Sequence, residues 1–378
     1  MAKITQIFAL LFCCFHFACK EASFQLGSER MDQYLHLLEG KKVAVVGNQT
    51  STIGQSHLVD TLLALKVEVV KVFAPEHGFR GTADAGALVE DGIDKATGLP
   101  IVSLYGKNKK PSKEQLQDVD VILFDIQDVG ARFYTYISSL HYVMEAAAEH
   151  NTPLIVLDRP NPNGHYVDGP VLDTAYQSFV GMHPIPVVHG MTMAEYALMI
   201  NGQEWTNSKC DLAVIPMLYY KRTIPYSLPI KPSPNLPNEV SVNLYPSLCF
   251  FEGTNVSVGR GTDIPFQHYG APYLESDYVF VPQSGPGSKD PKHENDSCFG
   301  VDLRQQSPLS ELNLDWLIQS YRECPSKEKF FNNFFDKLAG TDQLRIHITN
   351  GKTAQEIRSA WQDDLIRFAE MRRDYLIY

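Results

Sequence analysis

The sequence contains no glycine-rich phosphate cradle. Neither G-x-G-x-x-G nor G-x-x-x-x-G-K-[ST] occurs, so a nucleotide held by a glycine turn at a helix N-terminus has no support. No G-x-S-x-G elbow is present, which removes the ordinary serine-hydrolase reading. His77, His183 and His189 are spaced too widely for a compact ligand set such as H-E-x-x-H. None of the seven cysteines forms a C-x-x-C pair, so a zinc ribbon and a dithiol redox motif lack a signature as well. No metal and no cofactor is therefore expected. Basic charge is scarce: 33 Lys and Arg stand against 44 Asp and Glu, a formal charge of -11. That balance argues against a general nucleic-acid or polyanion binder, while leaving room for a local basic pocket for one small anion. Internal repeats and low-complexity tracts are absent, and past residue 17 no apolar run is long enough to span a bilayer.

What is present begins with a targeting pattern. Lys3 precedes an apolar run over residues 7–17, interrupted only by His16. The run has the length of a signal-peptide core and is too short for a transmembrane helix. Ala18-Cys19 follows and resembles a bacterial lipoprotein cleavage point, although His16 sits where a Leu is usual. Residues 1–19 are thus read as a signal segment with Cys19 as the lipidated N-terminus; plain secretion is the alternative. The expectation is an exported protein, periplasmic or associated with the outer membrane, that meets a membrane only through an N-terminal lipid anchor. Cys13, Cys14 and Cys19 belong to this segment. Of the remaining four, Cys298 and Cys324 form the pair to consider for a disulfide, with buried free thiols as the simpler alternative.

The body of the chain alternates. Residues 42–47, 67–73, 100–105, 119–124 and 154–157 read as buried strands; residues 31–39, 58–65, 113–117 and 133–150 have helical spacing. Continuous apolar strands alternating with helices imply a parallel sheet covered on both faces. Beyond Asp158 prolines become dense. Thr192 with Glu195 makes a capping box that predicts a helix, and residues 211–216 read as a further strand. Residues 225–246 read as loop, residues 344–348 alternate like a strand, and residues 353–375 are strongly helical. The fold class is α/β: a Rossmann-like parallel-sheet domain over residues 24–245 and a smaller α+β domain over residues 246–378.

Three strand ends carry the polar chemistry. The run at 67–73 delivers Ala74-Pro75-Glu76-His77-Gly78-Phe79-Arg80-Gly81, the run at 119–124 delivers Asp125-Ile126-Gln127-Asp128-Val129-Gly130-Ala131-Arg132, and the run at 154–157 delivers Asp158-Arg159-Pro160. In open α/β sheets ligands bind beyond the carboxyl ends of the strands. A partly desolvated Glu76 suits a general acid; a loop salt bridge to Arg80 is the plain alternative. Asp125, Asp128 and Asp158 are possible partners, and N-cap duty is the default for an Asp such as Asp128. Glu252, after two phenylalanines, is a second carboxylate candidate, and Arg260 between Gly259 and Gly261 is placed to reach an anion. A structural turn is the competing account of that stretch.

Several strings together carry a resemblance: Gly47-Asn48-Gln49-Thr50-Ser51, the Ala74 to Gly81 string, Ser103-Leu104-Tyr105-Gly106, Asp125 through Arg132-Phe133-Tyr134-Thr135-Tyr136, Asp158-Arg159-Pro160-Asn161-Pro162, His189-Gly190-Met191-Thr192, Ser233-Pro234-Asn235-Leu236-Pro237, and Phe251-Glu252-Gly253-Thr254 on to Gly261-Thr262. The ordered set resembles the NamZ-type exo-β-N-acetylmuramidases and covers nearly everything after the signal segment. The resemblance implies a cleft between the two domains. It implies removal of β-1,4-linked N-acetylmuramic acid (MurNAc) from the non-reducing end of peptidoglycan fragments, with MurNAc-GlcNAc saccharides lacking a stem peptide as substrates. It places the family's essential Glu on Glu76.

Glycoside hydrolysis usually uses an acid near the leaving oxygen and a second carboxylate. Glu76 is the acid and Glu252 the leading second group. A separation of ~5 Å would retain configuration and ~6.5–9.5 Å would invert it. Substrate assistance is a third arrangement, in which the 2-acetamido group attacks and Asp125 or Asp128 polarises it. The lactyl carboxylate of MurNAc needs a cation, and Arg80, Arg132, Arg159 and Arg260 are candidates. Tyr105, Tyr134 and Tyr136 are candidates to stack on or bond the sugar, two of them being possible core residues. Asn48, His77 and Asn235 complete the expected binding set. Two other functions compete: a non-catalytic lipoprotein that binds peptidoglycan fragments, and a metal-dependent hydrolase.

Overall fold

The computed structural model describes residues 24–80 and 91–378. The signal segment, Cys19 and the closing Gly81 of the Glu76 string lie outside the described residues. Twelve strands are described: β1 (Lys42–Gly47), β2 (Thr52–Ile53), β3 (Ser56–His57), β4 (Glu68–Ala74), β5 (Gly92–Ile93), β6 (Pro100–Ser103), β7 (Val121–Asp125), β8 (Leu154–Leu157), β9 (Leu212–Ile215), β10 (His268–Ala271), β11 (Tyr278–Phe280) and β12 (Cys298–Asp302). Seven form one sheet in the order β5-β6-β4-β1-β7-β8-β9, parallel except for the β5–β6 edge pair. The chain builds outward from β1 to β6, then returns to lay β7 on the other side of β1. That reversal is the switch point of a doubly wound sheet.

The sheet is buried on both faces, as its apolar strands require. Val43 and Val45 of β1 pack with helices Met31–Leu38 and Leu58–Ala64, whereas Ala44 and Val46 pack with helices Tyr136–His150 and Met193–Gly202. The second cluster is the larger and continues without a break into the C-terminal part, through Phe250, Phe330, Phe335 and Phe368. There β10, β12 and β11 form a small antiparallel sheet. Thr192 caps Met193–Gly202 as its sequence implies, accepting from the Glu195 N–H at 3.3 Å.

Three elements differ from their sequence pattern. Residues 225–246 contain the start of a helix, Glu239–Leu248, despite Pro246. Asn238 caps it, and the Val242 carbonyl that Pro246 cannot serve accepts instead from Asn163 Nδ2 at 3.0 Å. Residues 344–348 lie in the helix Gln343–Thr349, with Leu344 and Ile348 one turn apart on its buried side. The C-terminal helical stretch is broken into Ala354–Ser359 and Gln362–Arg373, where Trp361 turns inward and its indole donates to Asp168 at 3.2 Å. Cys210, Cys249, Cys298 and Cys324 are free and buried, so Cys298 and Cys324 are not paired.

The two parts of the chain are tied by a fully buried arginine. Arg132 Nη1 donates to the carbonyls of Pro170 and Ile185, both at 2.8 Å. Its Nη2 donates to Leu338 at 3.0 Å and Ala339 at 2.7 Å, at the end of the helix Phe335–Ala339. Burial pulls the guanidinium pKa down to about 9, still a cation at neutral pH. Arg132→Met leaves these carbonyls without their donor, and each buried unmade bond costs about 1–3 kcal/mol. Urea unfolding should show a loss on the order of 3 kcal/mol or more; a loss under about 1 kcal/mol would show that the tie is dispensable.

His183 provides a second check. It bonds the Tyr196 hydroxyl at 2.7 Å and His141 Nδ1 at 3.0 Å, and its ring stacks on Trp205. Burial, then the nearby His141, pushes its pKa down to about 2. The unfolded chain binds the proton first, so this group's stability is complete above about pH 6.5 and drains as pH falls. His183→Gln should remove about 2 kcal/mol of the stability that the wild type loses between about pH 6.5 and 4.5. Parallel pH profiles for the two proteins would refute a neutral buried imidazole.

Candidate active site

A cavity of about 800 Å³ opens beyond the carboxyl ends of β4, β6 and β7. That size suits a small ligand or a short saccharide. Its walls combine Glu76, His77, Tyr105, Tyr134 and Thr135 from the sheet side with Asn235, Glu252, Arg260 and Lys289 from later segments.

Glu76 is positioned by the way β4 ends. Pro75 closes the strand, and His77 (φ 70°) and Gly78 (φ 75°) are both left-handed. A left-handed histidine costs on the order of 1–3 kcal/mol and persists where the surroundings hold it in place. The turn is closed by the Gly78 N–H on the Pro75 carbonyl at 3.0 Å. Thr135, at the start of helix Tyr136–His150, donates its hydroxyl to Glu76 Oε2 at 2.8 Å. Tyr105, just after β6, hydrogen-bonds the same carboxylate; burial first, and then the charge on Glu76, push its phenol pKa upward. Tyr134 stands edge-on to Tyr136 and donates to the Pro232 carbonyl at 2.9 Å, joining this wall to the segment that carries Asn235.

Glu252 lies in the short 3-10 turn Cys249–Gly253 that continues helix Glu239–Leu248. Both its carboxylate oxygens sit 3.2 Å from Arg260 Nε. Arg260 is flanked by two left-handed glycines and lies over the Phe266 ring at 5.0 Å. Burial works against its charge, but the Glu252 carboxylate, with smaller help from Tyr245 and Cys249, offsets this, and its pKa is raised. Asn235 Nδ2 donates to the Gly287 carbonyl at 2.8 Å, which fixes the loop that presents Ser288 and Lys289 to the cavity.

The structure thus brings together Glu76, His77, Tyr105, Tyr134, Asn235, Glu252 and Arg260. It does not bring eight other sequence candidates to the cavity wall. Asp158 is buried, accepting from the Thr192 hydroxyl at 2.8 Å and the Ala194 N–H at 3.0 Å, and Tyr136 is buried with its hydroxyl 3.4 Å from the Pro232 carbonyl. Asp125 and Arg159 face each other in the interior, Nε to Oδ1 at 2.5 Å and Nη2 to Oδ2 at 2.8 Å. Asp128 accepts from the Gly130 N–H at 2.6 Å, closing a turn rather than capping a helix, and burial lifts its pKa to about 7. Arg132 is the buried tie described above. Arg80 is bound to Asp94 at 2.7 and 3.2 Å, not to Glu76. Asn48 is buried, with its side-chain oxygen accepting from the backbone and hydroxyl of Thr50. These groups share one cause: a carboxylate or guanidinium at a strand end is satisfied by whichever partner the fold buries beside it.

Thr135, Ser233, Ser288 and Lys289 line the cavity without having been singled out in the sequence. Thr135 had a signal in its place before a long helix. Lys289 had only the loop signature of Gly285-Pro286-Gly287, which does not say that the loop folds back on the sheet. Among the described residues, no three His, Cys, Asp or Glu side chains are placed to hold a metal ion.

Residues 43–240 match the model of the N-terminal domain of the exo-β-N-acetylmuramidase NamZ, and residues 243–378 match its C-terminal domain. The chain is 38% identical to the peptidoglycan β-N-acetylmuramidase NamZ of Bacillus subtilis (strain 168), over 95% of this chain and 92% of that one. Two crystal structures of DUF1343 family proteins from Bacteroides fragilis superpose on it. The first has 46% identity and a TM-score of 0.88, the second 31% and 0.82; each comparison covers 94% of this chain and 99% of the other. By sequence and by fold, the chain belongs to the NamZ exo-β-N-acetylmuramidase family.

Proposed function

We propose that this protein is an exo-acting glycoside hydrolase that releases β-1,4-linked MurNAc from the non-reducing end of peptidoglycan fragments, in cell-wall turnover or salvage. The observation that carries the reading is Glu76, held on the cavity wall by Thr135 and Tyr105 in a cavity that also contains the Glu252–Arg260 pair. Cleavage of a glycosidic bond needs a proton on the leaving oxygen and a second group that meets the developing positive charge at the anomeric carbon. Glu76 supplies the proton. The Thr135 bond fixes its orientation, which general acid catalysis depends on. Glu252 and Asp290 are the other carboxyl groups on the described cavity wall, and Glu252 is the leading second group. Asp125 is paired with Arg159 in the interior and Asp128 lies off the cavity wall, which favours Glu76 and Glu252 over a substrate-assisted route.

The lactyl group distinguishes MurNAc from GlcNAc by one carboxylate. Arg260 and Lys289 are the cations on the cavity wall, and Tyr105, Tyr134 and Phe179 supply ring surface for the sugar. We also infer that the protein is exported and carries lipid on Cys19. The support is the order of Lys3, the apolar run over residues 7–17 and Ala18-Cys19.

Glu76→Gln should lower turnover of peptide-free MurNAc-GlcNAc by roughly 10²–10⁴-fold while the protein stays folded and still binds the disaccharide. Retention of more than about a tenth of the rate would remove Glu76 as the acid. Hydrolysis should survive EDTA; loss that zinc or another divalent ion restores would instead favour a metal-dependent hydrolase. For the lactyl group the cleaner variant is Lys289→Ala, because Arg260 also holds Glu252. Inhibition by free MurNAc should weaken roughly tenfold or more, the worth of a hydrogen bond to a charged group, while inhibition by GlcNAc stays level. Equal loss for both sugars would show that Lys289 does not read the carboxylate.

A further inference from the structure

A second cavity, of about 350 Å³, lies apart from the first and is lined by mostly apolar side chains, among them Ile224, Tyr226, Leu228, Val240 and Leu309. Around it the surface is unusual. Phe24, where the described chain begins, packs its ring on Tyr226 at 5.5 Å and on Tyr220 at 6.4 Å. Phe24 is held there by the next residue: Gln25 exchanges two backbone hydrogen bonds with Leu218, at 3.1 and 3.0 Å. Tyr219 is 57% exposed and Ile224 56%, so two of the most exposed large apolar side chains in the described protein flank this spot. Tyr219 is also left-handed (φ 59°), a costly backbone state for an aromatic residue, and it turns the ring outward rather than into the core. Lys221, exposed, lies between Tyr219 and Ile224 in the chain, and Arg222, His165, Tyr226 and Glu239 are the titratable side chains among the described residues lining the cavity.

The position of this face matters. Five peptide links separate Cys19 from Phe24, a reach of about 18 Å at most. A lipid on Cys19 would therefore hold the Phe24 face close to the membrane, whatever path the intervening residues take. We propose that the surface formed by Phe24, Tyr219, Ile224 and the adjoining apolar cavity rests on the phospholipid bilayer, fixing the orientation of the anchored protein. The proposal depends on the lipoprotein reading of Cys19. Aromatic and aliphatic side chains with a lysine and an arginine in the same stretch suit the boundary between headgroups and acyl chains.

The test uses the full lipidated protein, extracted from membranes and reconstituted into phosphatidylethanolamine–phosphatidylglycerol vesicles with or without brominated acyl chains. Ile224→Trp adds a reporter on the proposed face. Leu65→Trp adds one at the amino edge of the sheet, where Leu65 is 48% exposed after helix Leu58–Ala64. Brominated lipid should remove most of the emission added by Ile224→Trp and leave that added by Leu65→Trp. Equal quenching of the two, or of neither, overturns the proposed orientation. Ile224→Trp shielded without bromine quenching, in a protein that cross-links to a second copy, would assign the face to self-association and overturn it too. Intact mass separates the two layers: no acyl mass on Cys19 removes the anchor reading and this proposal with it, whereas lipidated protein without quenching refutes the face alone.

Discussion

One buried cation organises the molecule. Arg132, on the loop after β7, sits between the stretch that follows β8 and the end of helix Phe335–Ala339, and its Nη1 and Nη2 donate to main-chain carbonyls from both parts. Among the described residues no carboxylate pairs with it, so its charge is met by oriented carbonyl dipoles. The arrangement works only if all the segments arrive together. Gly340 shows how tight it is: left-handed at φ 72°, it would place a Cβ 2.6 Å from Arg132 Nη2. The cavity forms beside this junction, and residues from both parts meet across it because the junction is fixed.

The parallel sheet was legible because burial on both faces leaves an unmistakable mark. The residues of β1, β7 and β8 are apolar almost without interruption, and the turns that follow them are polar. Helix Glu239–Leu248 was hidden by Pro246, since nothing in the local sequence announces that Asn163, far away in the chain, takes up the carbonyl it strands. Helix Gln343–Thr349 was hidden by alternation: Leu344, Ile346 and Ile348 satisfy a period of two as readily as a period of four.

The site divides along the same line. Glu76, Tyr105, Glu252 and Arg260 stood in strings whose order marked them, and they share one cavity. The arginines were harder. Arg80, Arg132 and Arg159 each looked available to an anion because their partners, Asp94, a set of carbonyls and Asp125, come from elsewhere in the chain. Whether a strand-end charge is free or spent is decided by tertiary neighbours, and no local pattern records them. Lys289 is the converse, a plain loop lysine brought to the cavity only because Asn235 pins its loop.

The left-handed turn at His77 and Gly78 sets Glu76 early in the chain, whereas Glu252, Arg260 and Lys289 come far later. The wall is complete only when the last third of the polypeptide has packed against the first. A protein clipped after the sheet would carry Glu76 without Glu252, Arg260 or Lys289 beside it. A complete cavity in this architecture is therefore a certificate of finished folding: until the C-terminal part is in place, Glu76 stands without the wall that faces it.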